Sequence, residues 1–375
     1  MTLIKVNTRG SEASSVGGQP KNLLLNGAMD VCQRTGHLPG TVETGVISGS
    51  NYPRIDRWNV GGNGGSSGID CSIVYHELGT GFATTNFKNA MRFNVSSASS
   101  SLSADNYVYT QQRIETKNVI NRLNYGSSNA KKLTLSFWVY SDVTGKYGVG
   151  MINRKDASAN YRRRNIMSYN INAANTWEKK TITFVGDTDS NFGFDLTRTN
   201  VHPYLGVYWT FAAGSNRVAS ASSDYTSEGV WYTDNHSNGV EFIAPAGQAN
   251  AFTSTSNDFY ITGCQLEEGE IATDFEHRHH SQTLNDCYRY MYVYVEDQDK
   301  GDVSQGRMYS GSYASSGSMI KFPYPCVMYK NPSLTYTQAA GAMSSNYSNP
   351  SMIQLYDSDD TAWRIHNVVA DAEIS

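Results

Sequence analysis

No apolar run in the 375 residues approaches the ~18 that a membrane-spanning helix needs. Residues 1–19 hold a small apolar patch at Leu3, Ile4 and Val6, not the apolar core of about 7–15 residues that marks a secretory signal. The chain is therefore expected to fold in a cytoplasm and not to insert into a membrane. Positive charge is not in excess: 30 Lys and Arg stand against 34 Asp and Glu, a net charge of −4. A general nucleic-acid binder needs a basic face, so that class of partner is excluded. The five cysteines, Cys32, Cys71, Cys264, Cys287 and Cys326, are odd in number and scattered, with no C-x-x-C pair and no zinc-like spacing. They read as reduced, mostly buried thiols, and neither a metal nor a cofactor is expected. Helical Ala/Glu/Lys/Leu periodicity is scarce, and no repeat of about 20–30 residues occurs.

What remains is turn-rich and aromatic: 33 Gly, 25 Tyr, long Ser/Asn/Thr stretches and only 17% charged residues. That balance predicts antiparallel β-sandwich or barrel domains, and the length allows roughly two or three of them. In 133–139, Leu133, Leu135, Phe137 and Val139 alternate with Thr134, Ser136 and Trp138, giving a strand with one core face and one half-polar face. Further strands are predicted over 175–184, 204–211 and 259–262. One or two helical turns are expected near 279–285. Beyond them Tyr288, Tyr290, Tyr292 and Tyr294 alternate with Arg289, Met291, Val293 and Val295, predicting a strand with tyrosines on one face. Short strands follow at 317–322, 333–337, 352–356 and 362–368. The chain divides into a polar leader (1–20), a large β domain (21–276) and a smaller β domain (277–375). Alone, the leader cannot bury enough surface to fold.

Several motifs punctuate this pattern. Asn22-Leu23-Leu24-Leu25-Asn26-Gly27 opens the ordered part, followed by Gln33-Arg34 and Asp56-Arg57-Trp58. At the other end stand Gln265-Leu266-Glu267, Glu268-Gly269-Glu270, Ala272-Thr273-Asp274-Phe275-Glu276 and Cys287-Tyr288-Arg289-Tyr290. The set resembles the carbohydrate-binding, jelly-roll-like domain of bacteriophage tail fibre proteins. There an N-L-L-x-N-G segment, a Gln-Arg pair and a D-R-W motif lead in, Q-L-E-x-G-x-x-A-T-x-F-E closes the sandwich, and C-x-R-Y opens the next segment. Phe322-Pro323-Tyr324-Pro325 with Met328 and Asn331-Pro332-Ser333 is similar to a segment of small fibre-tip domains.

The resemblance implies an all-β chain: an extended anchor, an antiparallel jelly-roll-like β-sandwich, a short helical linker and a small C-terminal β-sandwich or barrel. It further implies a homotrimer on the virion, attached to the phage tail or another virion protein through residues 1–20. The carboxyl-terminal domains would bind host-surface polysaccharide or lipopolysaccharide without cleaving it. Reduced cysteines suit assembly in a bacterial cytosol. A head fibre or spacer that binds no glycan is the alternative. A polysaccharide depolymerase fits less well, since tailspike enzymes usually carry the long parallel β-helix whose repeat is missing.

Arg162, Arg163 and Arg164 are candidates for contact with anionic polysaccharide, or else a strand edge or salt-bridge strip. Tyr309, Tyr313 and Tyr347 lie in distal loops (297–307, 311–318, 339–350) rich in Gly, Ser, Asn and Tyr, and are the aromatic candidates for sugar contact. Trp58, Trp138 and Trp177 fall within motifs and read as structural. His277, His279 and His280 are either a solvated patch or, on a threefold axis, a set able to hold a metal or anion. Glu267, Glu268, Glu270, Asp274 and Glu276 form the densest acidic run, and a charged turn at a sheet end is preferred to a carboxylate pair for glycoside hydrolysis. Gly64-Gly65-Ser66-Ser67-Gly68 matches G-x-S-x-G only in form, because no strand and helix flank it. Gly61 to Gly68 is no phosphate loop either, as no Lys-Ser/Thr follows.

Overall fold

The computed structural model describes residues 20–35, 42–43, 48–52, 55–64, 68–78, 86–155, 162–193, 204–234, 242–294, 311–312, 318–340, 345–346, 348–357 and 364–374. The leader expected at 1–20 lies outside them except for Pro20, as do Ser66, Tyr309, Tyr313 and Tyr347.

Residues 42–268 form an all-antiparallel sandwich. Its strands run β1 Val42–Glu43, β2 Ser48–Asn51, β3 Asn59–Asn63, β4 Asp70–Glu77, β5 Asn89–Ser97, β6 Tyr107–Glu115 and β7 Leu133–Ser141. They continue as β8 Gly145–Arg154, β9 Arg162–Ile171, β10 Glu178–Phe184, β11 Tyr204–Ala213, β12 Tyr232–Thr233 and β13 Asp258–Glu268. One sheet has six strands in the order β1-β4-β5-β13-β7-β10, the other seven in the order β12-β9-β8-β11-β6-β3-β2. From β5 onward the chain passes repeatedly between the sheets, the wiring of a jelly roll. Gly61 and Gly62 belong to β3 and not to a loop.

The alternation read from the sequence sets the core. Leu133, Leu135, Phe137 and Val139 of β7 point inward and meet Leu205, Val207, Trp209 and Phe211 of β11. The Phe137 and Trp209 rings cross edge-on at 5.6 Å, and Phe93 and Phe259 flank Phe211 at 4.4 and 4.5 Å. Edge-on and tilted pairs of this kind fill a sheet-to-sheet gap densely.

The front and back motifs are one clasp. Asn22 Oδ1 accepts from the Leu24 and Leu266 amides, its Nδ2 donates to the Cys264 carbonyl, and its own amide donates to Glu276. Gln265 accepts from the Glu276 amide, while Glu267 accepts from the Thr273 amide and hydroxyl. Gly27 is required here because a Cβ would stand 2.1 Å from the Cys264 carbonyl oxygen. The acidic run is thereby accounted for, with Glu268 paired to Arg122 and Lys131 and Glu270 to Lys132. An Asn22→Ala variant strips two amides and one carbonyl of their partner. It should lose about 3 kcal/mol, at roughly 1 per hydrogen bond, read as a lower urea midpoint at unchanged slope. A loss below about 1 kcal/mol would separate the motif from stability.

The C-terminal part differs from its prediction at the start. The helix α1, His280–Tyr288, consumes Tyr288, and β14 begins only at Met291 and ends at Tyr294. Tyr290 turns inward under Arg57 and donates its hydroxyl to Glu115, and Tyr292 packs on Tyr324. No single strand therefore presents the tyrosine face expected over 288–294. The remaining strands are β15 Gly311–Ser312, β16 Ser318–Pro323, β17 Ser333–Ala340, β18 Ser345–Asn346, β19 Met352–Asp357 and β20 Arg364–Asp371. They make a three-stranded sheet, β14-β20-β17, and a four-stranded sheet, β15-β16-β19-β18. Tyr324, Met328, Ile353, Leu355, Val368, Ala370 and Ala372 form their separate small core.

This unit is bolted to the sandwich. Arg57, buried and held at φ +74°, pairs with buried Glu373 and lies 3.6 Å from the centre of the Tyr290 ring. Tyr52 and Arg113 both donate to the Ile374 carbonyl, Gln33 donates to the Met291 carbonyl, and Arg289 grips Glu115 through two bonds. Ile152, Tyr204, Tyr290 and Ile374 close an apolar cluster across the junction. All five cysteines are free, four of them buried and Cys326 half-buried.

Candidate functional site

A sandwich offers two outer sheet faces, and here one is already occupied. Outward residues of the seven-stranded sheet include Tyr107 and Tyr109 of β6, Tyr204 and Tyr208 of β11, and glycines between them. The Tyr109 and Tyr208 rings lie so close over Gly61 and Gly150 that a Cβ at either glycine would come within 2.4 and 2.3 Å of its tyrosine. Such a face resembles a groove, but it is filled. Ala219 and Ile243 pack over Tyr109 and Tyr208 at one end. Tyr290 and Ile374 of the C-terminal unit pack over Ile152 and Tyr204 at the other.

The outer face of the six-stranded sheet is more open. Register fixes its layout, because strands lie about 4.8 Å apart and alternate residues share a face. Val74 pairs with Arg92, Arg92 with Tyr260, and Tyr260 with Tyr140. Since Glu178 pairs with Val139, Trp177 extends the row just ahead of β10. One row thus runs across the sheet from Arg92 through Tyr260 and Tyr140 to Trp177. The rings touch: Tyr140 to Tyr260 at 5.2 Å, Tyr140 to Trp177 at 5.8 Å and Trp177 to Tyr260 at 6.0 Å. Tyr140 and Trp177 are half-buried, Tyr260 nearly buried. Below this row Asn94 pairs with Asp258. Above it lie His76, opposite Ala90, and Trp138, flanked by Thr262 and Lys179.

Polar groups border the aromatics in fixed positions. Arg92 holds Asp258 through Nε and Nη2, both at 2.8 Å, and Asn94 donates to the same carboxylate at 3.0 Å. Asp142 accepts from the Asp258 amide at 2.6 Å, and Tyr140 donates to Asn175 at 3.1 Å. Arg92 also lies 5.7 Å from the Tyr260 ring centre. Burial, then the Arg92 charge, hold the His76 imidazole below its usual range, so it is neutral at pH 7. Burial and the Asp258 charge push the Tyr260 hydroxyl upward, keeping it a neutral donor. Flat apolar rings edged by fixed donors and acceptors match the C–H faces and hydroxyls of sugars.

The residues proposed from sequence fare differently. Arg163 pairs with Asp187 and Asp189 and also donates to Thr233 and the Trp231 carbonyl. Arg164 is buried on Asp234 and lies over the Tyr208 ring. Arg162 is half-buried at the start of β9. Two of the three guanidiniums are thus committed to internal carboxylates and do not form a free basic strip. The His277 ring packs against Phe87 and Phe275, and His279 Nδ1 accepts from the Ser281 amide to cap α1. Among the described residues no group of His, Cys, Asp and Glu is arranged to hold a metal.

Tyr140, Tyr260, Arg92 and Asp258 were not singled out from sequence, and Trp177 was assigned a purely structural place. A signal for Tyr140 existed, since the alternation that turned Trp138 outward in β7 continues to it.

No protein-family model matches the sequence, and no curated protein matches it. Solved structures do, among them three distant ones. An enzymatically active domain of tailspike protein 4 from bacteriophage CBA120 matches with 10% identity and a TM-score of 0.26, over 57% of this chain and 19% of that one. A xylan-binding domain from Paenibacillus barcinonensis matches with 12% identity and a TM-score of 0.29, over 57% of this chain and 92% of the other. A family 11 carbohydrate-binding module of a Clostridium thermocellum cellulase matches with 14% identity and a TM-score of 0.26, over 64% and 98%. Scores this low say nothing about ligand or partner.

Proposed function

We propose that this chain is a structural virion protein, a bacteriophage tail fibre that attaches the particle to its host by holding cell-surface glycan without cleaving it. The observation that carries the reading is the aromatic cluster of buried Tyr260 with half-buried Tyr140 and Trp177 on the more open sheet face, with the Arg92–Asp258 pair at its edge. The motif set of phage fibre domains supports it, since those motifs form a single hydrogen-bonded clasp here. One shallow site of this kind binds weakly, and a homotrimer anchored through residues 1–20 raises the avidity through effective concentration.

Purified protein should behave in light scattering as three 41.3 kDa chains. It should also coat host cells and reduce phage adsorption in proportion to its concentration, with soluble host polysaccharide reversing both effects. A stable monomer would remove the avidity part. Failure to bind host cells at all would leave only the spacer reading.

A further inference from the structure

Resting on that reading, we infer that the six-stranded face takes a neutral pyranose chain rather than an acidic polysaccharide. The charge layout decides this. Among the described residues the ionised groups on the three rows are Arg92 and Lys179 against Asp142 and Asp258, with Glu77 and exposed Lys88 beyond the His76–Ala90 end, and burial holds the His76 imidazole below its usual range. Arg92 is the cation that lies over the Tyr260 ring, and its Nε and Nη2 both donate to Asp258. An acidic sugar placed over Tyr260 would have to compete for a guanidinium already neutralised, beside a second carboxylate, Asp142, bound to the Asp258 amide. Like charges at such range oppose binding. Lys179 is exposed, but it lies across from Trp138 at the β10 edge, in a different row from Tyr140 and Tyr260.

The polar groups that do face the row suit hydroxyls. Carboxylates accept from a sugar's O–H groups, the Asn94 and Asn175 amides offer both donor and acceptor, and Arg92 donates only, its charge balanced by Asp258. The rings of Tyr260, Tyr140 and Trp177 form a compact triangle, 5.2 to 6.0 Å apart and steeply inclined to one another. Such a cluster meets one sugar ring, and the polar groups at its border hold the rest of the chain. A pyranose with an uninterrupted C–H face stacks best, because an axial hydroxyl on that face would hold the ring off the aromatic plane.

The test is an array of neutral and uronic- or sialic-acid-containing oligosaccharides probed with the full chain. It is repeated at low and high salt and with the double variant Tyr140→Ala/Trp177→Ala, whose folding is checked by its melting curve. Tryptophan fluorescence reports ligand contact independently, since Trp138 and Trp177 border the row. We expect neutral chains to bind, with affinity changing less than about twofold between the two salts, and the double variant to lose that binding. Binding restricted to acidic chains, weakened by salt and lost in the variant, would overturn the inference and leave the adhesin reading standing. Neutral binding that survives in the folded variant would place the site elsewhere and also overturn it. Binding to no glycan would take down the adhesin reading as well.

Discussion

Replacing Arg57 by Ala should destabilise the protein by on the order of 3–5 kcal/mol, because it leaves a buried carboxylate without its cation. Arg57 and Glu373 expose 1% and 3% of their side chains. Burial raises the Glu373 carboxyl above its ordinary range, against the pull of Arg57 and Arg34. Without Arg57 the carboxyl takes up a proton, which caps the loss. The left-handed backbone at Arg57 (φ +74°) makes the position still more telling. A side chain is held in that sparsely populated region only where the surroundings over-determine it. Here they do so through Glu373, the Tyr290 ring and the Arg113 carbonyl.

The same pair joins the two cores, so its loss should also change the form of unfolding. The natural chain is expected to unfold in one urea transition, and Arg57→Ala in two, the small C-terminal core melting first. A matched apolar replacement, Arg57→Met with Glu373→Leu, should cost much less than either single change, since no charge is stranded. A loss under about 1 kcal/mol for Arg57→Ala, or a single transition retained, would show that the units are held by other contacts.

The other large effect concerns adhesion. Truncating Tyr140 and Trp177 together removes two ring faces from the row, and aromatic anchors at binding surfaces carry about 2 kcal/mol or more each. A loss of 2 kcal/mol is roughly 30-fold in affinity at one site. In a trimer the effect compounds, because each rebinding step is weakened. Adsorption of particles carrying the variant should therefore fall by well over roughly tenfold. Melting should fall while the fold persists, as Tyr140 and Trp177 are half-buried and pack on the small cluster of Leu78, Ala90 and Tyr260, outside the main core. Normal adsorption by a folded variant would exclude this face as the point of attachment.

Local alternation made much of the fold legible. β7 faces as its sequence pattern requires, and β16, β17, β19 and β20 fall close to the runs marked for them. The run from Tyr288 to Tyr294 deceived because a period of two over four tyrosines says nothing about distant partners. Tyr288 completes a helix begun at His280, and Tyr290 is captured by Arg57 and Glu115, far earlier in the chain. Arg163 and Arg164 look like a basic strip only until Asp187, Asp189 and Asp234 are folded against them. The aromatic row was illegible for a related reason. Its members come from β5, β7, β13 and the segment before β10, and only sheet order makes them neighbours.

The most direct measurement is a structure of the protein with an oligosaccharide cut from its host's surface. A sugar ring stacked on Tyr260, Tyr140 and Trp177, with hydroxyls on Asp258, Arg92 or Asn94, is the expected result. Ordered sugar held on the distal loops around Tyr309, Tyr313 and Tyr347, with the six-stranded face bare, would contradict it.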